Sequence, residues 1–249
     1  MIGLTNGKFA DWAVQPSSGG SGDPAANVWF CGIEPGSART VHQGAVGDFG
    51  RLRDAIAGGA QPRRPYNWDE NLRHRFGLWQ SKLLTAIADR PQGSHRTACR
   101  DVPLMKLNLY PVSFPDSRDH RWLEHDFAGT TGIPTKALYR AWCEAVRFPV
   151  LARFVAEHRP RLIVGSGLTF VERFIAAFGG ATGVSRWREV QLEDGVRYYA
   201  IDLAGSSTHL AVIPFYGRPG ALNSDDLVLR IGHRIRQEAG LLDAAWLGG

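Results

Sequence analysis

Four short apolar runs, spaced along the whole chain, are the feature that most constrains its fold. Each run ends at a glycine, a proline or a polar residue, as a buried strand does, and the stretches between the runs carry apolar residues at helical spacing. The predicted strands are residues 28–32, 103–109, 161–165 and 209–213, and the predicted helices are residues 51–57, 66–89, 134–158, 168–178 and 224–238. A Glu-Asp-Gly turn also predicts a hairpin of residues 189–192 and 196–202. The alternation predicts an α/β fold whose central, mainly parallel four-stranded sheet is flanked by helices.

The length of the chain, 249 residues, fits a single domain over residues 1–249. A stretch rich in glycine and serine at residues 16–24 sets residues 1–26 apart as a partly flexible N-terminal extension. Phe9 and Trp12 are expected to pack this extension against the rest of the domain.

The composition limits the classes of function. With 44% hydrophobic residues and eight tryptophans the chain can bury a core, and its net charge of +5 and pI near 9.4 suit a polyanionic partner such as nucleic acid. Cys31, Cys99 and Cys143 lack Cys-x-x-Cys spacing, which argues against a zinc site, an iron–sulfur cluster or a disulfide framework. No apolar stretch has the length of a membrane span, and residues 1–12 lack a signal-peptide pattern, so we expect a cytoplasmic protein.

An acidic residue follows the first predicted strand, in the segment Gly-Ile-Glu-Pro-Gly that begins at Gly32. In an open α/β sheet, ligands bind in the crevice beyond the carboxyl ends of the strands. Glu34 therefore lies where a reacting group is expected. A surface turn whose glutamate faces water explains the same segment, and the strand end alone does not separate the two interpretations.

The other predicted strands end in comparable segments. The second ends in Asn-Leu-Tyr-Pro, beginning at Asn108, and continues into an aromatic loop that reaches Phe114. The third ends in Gly-Ser-Gly, beginning at Gly165. Backbone N–H groups of this turn could donate hydrogen bonds to a phosphate. Tight packing between strand and helix explains the same glycines. The last runs into a loop rich in glycine and proline, residues 214–223.

In order and spacing, these segments resemble the motifs of the uracil-DNA glycosylase superfamily over residues 27–238. The first has the Gly-x-x-Pro-Gly form of branches without an iron–sulfur cluster. Its third position, which in the family places a water or stabilises the sugar cation, is Glu34. The strand-ending asparagine that reads the flipped base matches Asn108. The resemblance implies a uracil-DNA glycosylase-like fold with Glu34 as the catalytic residue.

The last motif departs from the family pattern. Ile213 stands before proline where the family has histidine, and Phe-Tyr-Gly-Arg at residues 215–218 replaces the usual Ser-Pro. His209 lies four residues earlier on the strand and does not stand in for the missing histidine. A leaving base anion therefore needs another partner, for which Arg218, backbone N–H groups and His42, as a possible acid or base, are the candidates.

Base excision requires further contacts from the protein. A base flipped out of a duplex is read on its polar edge, for which the Asn108 amide is suited, and is held against an aromatic face. An apolar wedge fills the gap that the base leaves. The candidates for the aromatic face are Phe49, Tyr110 and Phe114, although an aromatic residue in a loop after a strand is more often part of the core. The candidates for filling the gap are Leu222 and Arg218, and those for phosphate contacts are Arg39, Arg218 and Ser166. The remaining motif positions implied by the resemblance are Gly32, Ile33, Pro35 and Tyr216 for the substrate and Gly220 and Asn223 for DNA.

These motifs predict a monofunctional DNA glycosylase, in which a water attacks C1′ and the N-glycosidic bond of a damaged or modified base is hydrolysed. One substrate class is uracil or another deaminated base such as hypoxanthine, as in DNA repair. The other is a bulky modified pyrimidine such as glucosylated hydroxymethylcytosine in phage DNA, for which bacterial anti-phage glycosylases of this fold are a precedent. We expect a monomer that binds DNA, binds no membrane and needs no cofactor or metal. Two alternatives remain open: a non-catalytic nucleic-acid sensor on the same fold, with Glu34 structural, and a hydrolase of free nucleosides or nucleotides.

Overall fold

The computed structural model describes residues 6–35, 46–58, 65–114, 122, 126–192, 195–216 and 222–243, with the side chains of residues 46–51 and 92 excepted. Seven strands in this part of the chain form one sheet in the order β1-β3-β2-β4-β7-β6-β5. The strands are β1 (Ser21–Gly22), β2 (Val28–Gly32), β3 (Met105–Asn108), β4 (Leu162–Ser166), β5 (Val184–Gln191), β6 (Arg197–Leu203) and β7 (His209–Ile213).

The four strands predicted from the sequence are neighbours at the centre of this sheet. β3, β2, β4 and β7 pair in parallel, and the register places Gly32 opposite Asn108 and Cys31 opposite Gly165. The sheet is nevertheless mixed, because β1 pairs antiparallel with β3 and the hairpin β5–β6 pairs antiparallel with β7. The prediction of a four-stranded sheet was therefore wrong in strand number. β1 has only two residues and shows no pattern, and the sequence indicates the hairpin but not the sheet that it joins.

The helices flank both faces of the sheet. They are α1 (Gly7–Ala13), α2 (Val46–Ala57), α3 (Trp68–Asn71), α4 (Arg75–Ile87), α5 (His95–Ala98), α6 (Phe127–Thr131), α7 (Lys136–Trp142), α8 (Phe148–His158), α9 (Val171–Gly179) and α10 (Asp225–Glu238), with short 3-10 turns at Gln92–Ser94 and Leu168–Phe170. Successive side chains of β2 point to opposite faces, as a strand requires. Trp29 packs in the core beneath α8 and α9, and Phe30 packs in the core beneath α4 and α10.

Two predicted helices are interrupted. The first, residues 66–89, divides into α3 and α4, which approach so closely that a Cβ on Gly77 would lie 2.1 Å from the Asn71 carbonyl oxygen. The second, residues 134–158, contains a π-helical segment, Cys143–Arg147, between α7 and α8. Pro149 lies just after this segment, and a proline both lacks an N–H group and crowds the preceding turn, which explains the local change in hydrogen bonding.

The N-terminal residues pack on the body of the domain. Phe9 and Trp12 of α1 are buried, as expected from the sequence. Arg147, at the end of the π-helical segment, is fully buried and donates hydrogen bonds to five backbone carbonyls. Its acceptors are Ala13 (2.5 Å), Gln15 (2.6 Å) and Ser18 (3.2 Å) in the N-terminal segment, and Asn108 (3.1 Å) and Leu109 (3.1 Å) at the end of β3. One guanidinium thus joins the N-terminal segment to the edge of the sheet where the candidate site lies.

Candidate active site

The crevice beside β2 is the place where this sheet topology favours a ligand. From β2 the chain passes to β3 on one side, and from β3 it crosses to β4 on the other side of β2. In open α/β sheets, ligands bind at the carboxyl ends of the strands beside such a reversal. Glu34 lies two residues beyond the end of β2, and Asn108 is the last residue of β3. The first two motif segments are therefore brought together.

Two cations of α7 hold the carboxylate of Glu34. Lys136 Nζ lies 3.2 Å from Oε2, and Arg140 Nη2 lies 3.0 Å from Oε1. The side chain of Glu34 is 11% exposed, that of Lys136 is wholly buried, and that of Arg140 is 25% exposed. Glu34 is thus an interior ion-pair partner and not a turn residue that faces water. One carboxylate and two cations leave this trio with a formal charge of +1.

The helix geometry explains why both cations reach the same carboxylate. Thr135 caps α7 by accepting a hydrogen bond from the Leu138 N–H group, 3.2 Å away, which fixes where the helix begins. Residues four apart then lie on one face of the helix, so Lys136 and Arg140 point toward the crevice together.

Two buried aromatic rings pack beneath these cations. Lys136 Nζ lies 3.8 Å from the centre of the Phe114 ring, and the Arg140 guanidinium lies 5.8 Å from that of Tyr110. The Tyr110 hydroxyl donates a 2.7 Å hydrogen bond to Glu144, and burial together with this bond raises the pKa of Tyr110. Phe114 is 4% exposed and Tyr110 is fully buried. These predicted stacking residues therefore support the ion pairs from below and present no open ring face.

The amide of Asn108 also has a partner. Its Nδ2 donates to the carbonyl of Gly19, in the N-terminal turn that Arg147 holds. Its Oδ1 lies against β2, where a Cβ on Gly32 would be 2.5 Å away. A base read by Asn108 would have to replace the Gly19 carbonyl. The ring of the half-buried Pro35 also lies close to this turn, since a Cβ on Gly19 would be 3.0 Å from Pro35 Cγ.

The third segment forms the opposite wall of the crevice. Gly167 has φ +124°, and a Cβ there would lie 2.8 Å from Ile33 Cδ1 and 3.0 Å from the Phe215 ring. Its N–H donates to the Ile213 carbonyl, 2.8 Å away, so this donor belongs to the sheet and does not face a phosphate. Ser166 is 1% exposed, so its hydroxyl is not accessible to a phosphate at the surface.

The last segment anchors a loop on α4. The Leu222 N–H donates to the Phe215 carbonyl, 2.9 Å away, and the Leu222 side chain is fully buried. Tyr216 packs edge-on against Phe76 and parallel to Trp79. Leu222 is thus a core residue in this structure, and it would reach a duplex only if the loop end unfolded.

The remaining predicted residues are distributed as follows. Asn223 is exposed beside this loop. Arg39, His42, Arg218 and Gly220 lie outside the described residues, and Phe49 lies in α2, with a side chain that is also outside the description.

Sequence reasoning missed the three cations that surround these strand ends: Lys136, Arg140 and Arg147. A lysine and an arginine four apart in a predicted helix indicate a basic face, but nothing in the sequence connects that face with Glu34, 102 and 106 residues away. The sequence does not distinguish Arg147 from an arginine at the surface, because its carbonyl partners come from chain segments that only the fold brings together.

The cysteines and the side chains that commonly bind metals are distributed as follows in the part of the chain that the structure describes. All three cysteines are buried and unpaired, and burial raises the pKa of Cys143 to about 12. Among the described residues, no three His, Cys, Asp or Glu side chains are grouped as a metal site. Within the same residues, no helix is both long and apolar enough to cross a bilayer.

Neither a protein-family model nor a curated protein matches this sequence.

Proposed function

We propose that this protein is a monofunctional DNA glycosylase with a uracil-DNA glycosylase-like fold. The observation that carries the proposal is the shielded carboxylate of Glu34, two residues beyond the end of β2, in a parallel pair of strands whose other member, β3, ends at Asn108. N-glycosidic hydrolysis builds positive charge on the sugar, and a carboxylate in a site that excludes most water stabilises that charge or orients the attacking water. The basic net charge of the chain supports DNA as the substrate polymer.

The ion-pair trio supports a second role, the neutralisation of the departing base. Arg140 is the more exposed of the two cations, so an anion in the crevice would meet it before Lys136. Arg140 would therefore stabilise the departing base anion, which is the role of the last-motif histidine in the family. Asn108 would select the base through its amide, after the Gly19 carbonyl gives way.

The substrate is a deaminated base such as uracil or hypoxanthine, or a bulky modified pyrimidine such as glucosylated hydroxymethylcytosine. A panel of labelled single strands and duplexes containing each base, with free nucleosides as a further arm, tests the reaction directly. We expect abasic sites from one base class with the wild type and a loss of at least about 100-fold with Glu34→Gln. Glu157→Gln, at an exposed position of α8, is the matched control and should keep full activity.

The two ion pairs of Glu34, with Lys136 and Arg140, also favour a second candidate, a nucleic-acid sensor without catalysis. A carboxylate held by two cations, one of them wholly buried, has the arrangement of a structural ion pair. On this alternative no base is released, and Glu34→Gln changes stability but leaves the affinity of the folded protein for DNA unchanged. Release of a base by the wild type and not by a folded Glu34→Gln protein would exclude the sensor.

A further inference from the structure

Three consecutive basic residues, Arg73, His74 and Arg75, connect α3 with α4, and their side chains are exposed. We call residues 73–75 the basic turn. His74 stands at the N-cap of α4, but its ring makes no capping hydrogen bond. Neither arginine forms an ion pair with a described residue. The basic turn therefore presents two arginine charges that no carboxylate in this part of the chain neutralises.

The acidic residues of α3, which precede the turn, have other partners. Asp69 is paired with Arg100, 2.6 Å away. Glu70 lies near Lys106 of β3, where burial lowers the pKa of the lysine and the Glu70 carboxylate opposes that shift. Exposed arginines on the hairpin β5–β6 and on α10 differ from those of the basic turn, because each is paired with a carboxylate (Arg186 with Asp202, Arg197 with Glu189 and Arg230 with Asp226).

The basic turn lies at the same edge of the sheet as Glu34. Phe76, the residue after the turn, packs edge-on against Tyr216, with ring centres 5.1 Å apart. Tyr216 lies three residues beyond the end of β7. Because β7, β4 and β2 are parallel, the carboxyl end of β7 is at the edge where β2 leads to Glu34.

The sheet separates the basic turn from the cations that hold Glu34. α4 packs in the core that contains Phe30, whereas α7 packs through Tyr139 in the core that contains Trp29, on the other face of β2. The crevice at the sheet edge therefore has Lys136 and Arg140 on one side and the basic turn on the other. A nucleic acid that lies across this edge passes both.

We propose that the basic turn binds the DNA backbone, with Arg73 and Arg75 each contacting a phosphate outside the nucleotide that enters the crevice. A duplex carries one negative charge per about 1.7 Å of helix axis, and a guanidinium group matches the geometry of phosphate oxygens. This inference rests on the proposed function, since it takes the polymer to be DNA, but it requires neither a particular base nor hydrolysis. It assigns phosphate contacts to residues outside the strand-end motifs, whose described candidate, Ser166, is buried.

The test measures the salt dependence of binding to a duplex without a target base, by fluorescence anisotropy. We expect the slope of log K against log salt to become shallower by about 1.8 in a variant with Arg73→Gln and Arg75→Gln, since each phosphate contact contributes about 0.9. The matched control, Arg153→Gln with Arg159→Gln, removes the same charge from exposed positions on and after α8. That helix ends beside Trp29, near the amino end of β2. The control should keep the wild-type slope.

Ethylation of single phosphates locates the same contacts. We expect ethylation at two phosphates to weaken binding of the wild type and to have no effect on the basic-turn variant. An unchanged slope in that variant, or an equal loss in the control, would overturn the inference, and base release by the wild type would then leave the glycosylase standing. A slope lowered only in the basic-turn variant, without release of any base, would retain the phosphate contacts and reject the glycosylase. Absence of DNA binding by the wild type would reject both.

Discussion

At the scale of single residues, the Glu34 carboxylate stabilises the fold by pairing with a buried lysine, whatever its role in catalysis. Lys136 is wholly buried and faces Oε2 of Glu34 at 3.2 Å. Removing one charge of a buried pair costs more than removing both, because the remaining charge keeps its desolvation penalty. We expect Glu34→Gln to lower the free energy of unfolding by about 2–4 kcal/mol, measured by denaturant titration, and Glu34→Gln with Lys136→Met to recover part of that loss.

The control for this cycle is Lys136→Met alone, which leaves Glu34 facing Arg140. If the double variant is as unstable as the sum of the two single variants, the charges are not coupled in the way that their distances indicate. The same titration defines conditions in which Glu34→Gln is folded, as the activity assay requires.

A second residue-scale prediction concerns the His209–Asp202 pair that joins β7 to β6. His209 Nδ1 lies 2.8 Å from Asp202 Oδ1, and burial lowers the pKa of His209 below its ordinary value of 6.5 in spite of this bond. Below pH 6.5 the unfolded chain therefore binds a proton before the folded chain does, and stability falls as the pH falls. We expect His209→Gln to reduce the loss of Tm between about pH 7.5 and about pH 5.5.

His233→Gln, at a 44% exposed position, is the control for this experiment and should keep the wild-type pH dependence. The pKa of Asp202 is also lowered, because hydrogen bonds from His209 and Arg186 outweigh its burial. Its stabilising contribution is lost only near and below its ordinary value of 3.8. An identical acid response in His209→Gln and wild type would contradict the assignment to His209.

At the scale of elements, the π-helical segment is where Arg147 connects the N-terminal segment with the end of β3. Its guanidinium bonds five carbonyls and is fully buried. We expect Arg147→Met to cost about 3–5 kcal/mol of stability, because charge-assisted bonds are lost and buried carbonyls lose their donors. Hydrogen exchange should show faster exchange in residues 13–20 and at the end of β3. The control Arg153→Met, at an exposed position of α8, should leave both unchanged.

The same contacts of Arg147 connect the stability of the N-terminal turn with Asn108, the residue proposed to read the base. Gly19, which accepts the hydrogen bond of the Asn108 amide, lies in the turn that Arg147 holds. Exchange that speeds up throughout the protein in Arg147→Met, with no excess at these two segments, would contradict a local anchoring role.

At the scale of the whole molecule, the net charge of +5 predicts that affinity for DNA, the proposed substrate polymer, depends on salt. If about four phosphates are contacted, affinity should fall by roughly 100-fold between about 50 mM and about 200 mM salt. Filter binding or fluorescence anisotropy on a duplex without a target base measures the contribution of the phosphate contacts alone. The same slope on a duplex with the target base would show that base recognition adds affinity without adding phosphate contacts. Salt-independent binding would contradict an electrostatic contact with the backbone.

Local sequence pattern was enough to predict several elements of the fold. Apolar runs ended by glycine or proline identified the four parallel strands, and the Glu-Asp-Gly turn identified the hairpin β5–β6, because these signals lie within a few residues of one another. Sequence also singled out Glu34 and Asn108, since both follow directly from where a strand ends.

The surroundings of those residues could not be predicted before the fold was known. Lys136 and Arg140 meet Glu34 across more than 100 residues of chain, and burial, which distinguishes the ring of Phe114 from that of Phe215, is a property of the packed domain. The seven-stranded sheet followed in the same way from pairings between distant segments. Local pattern carries the information for an element, whereas charge partners and open surfaces arise when elements from distant parts of the chain pack together.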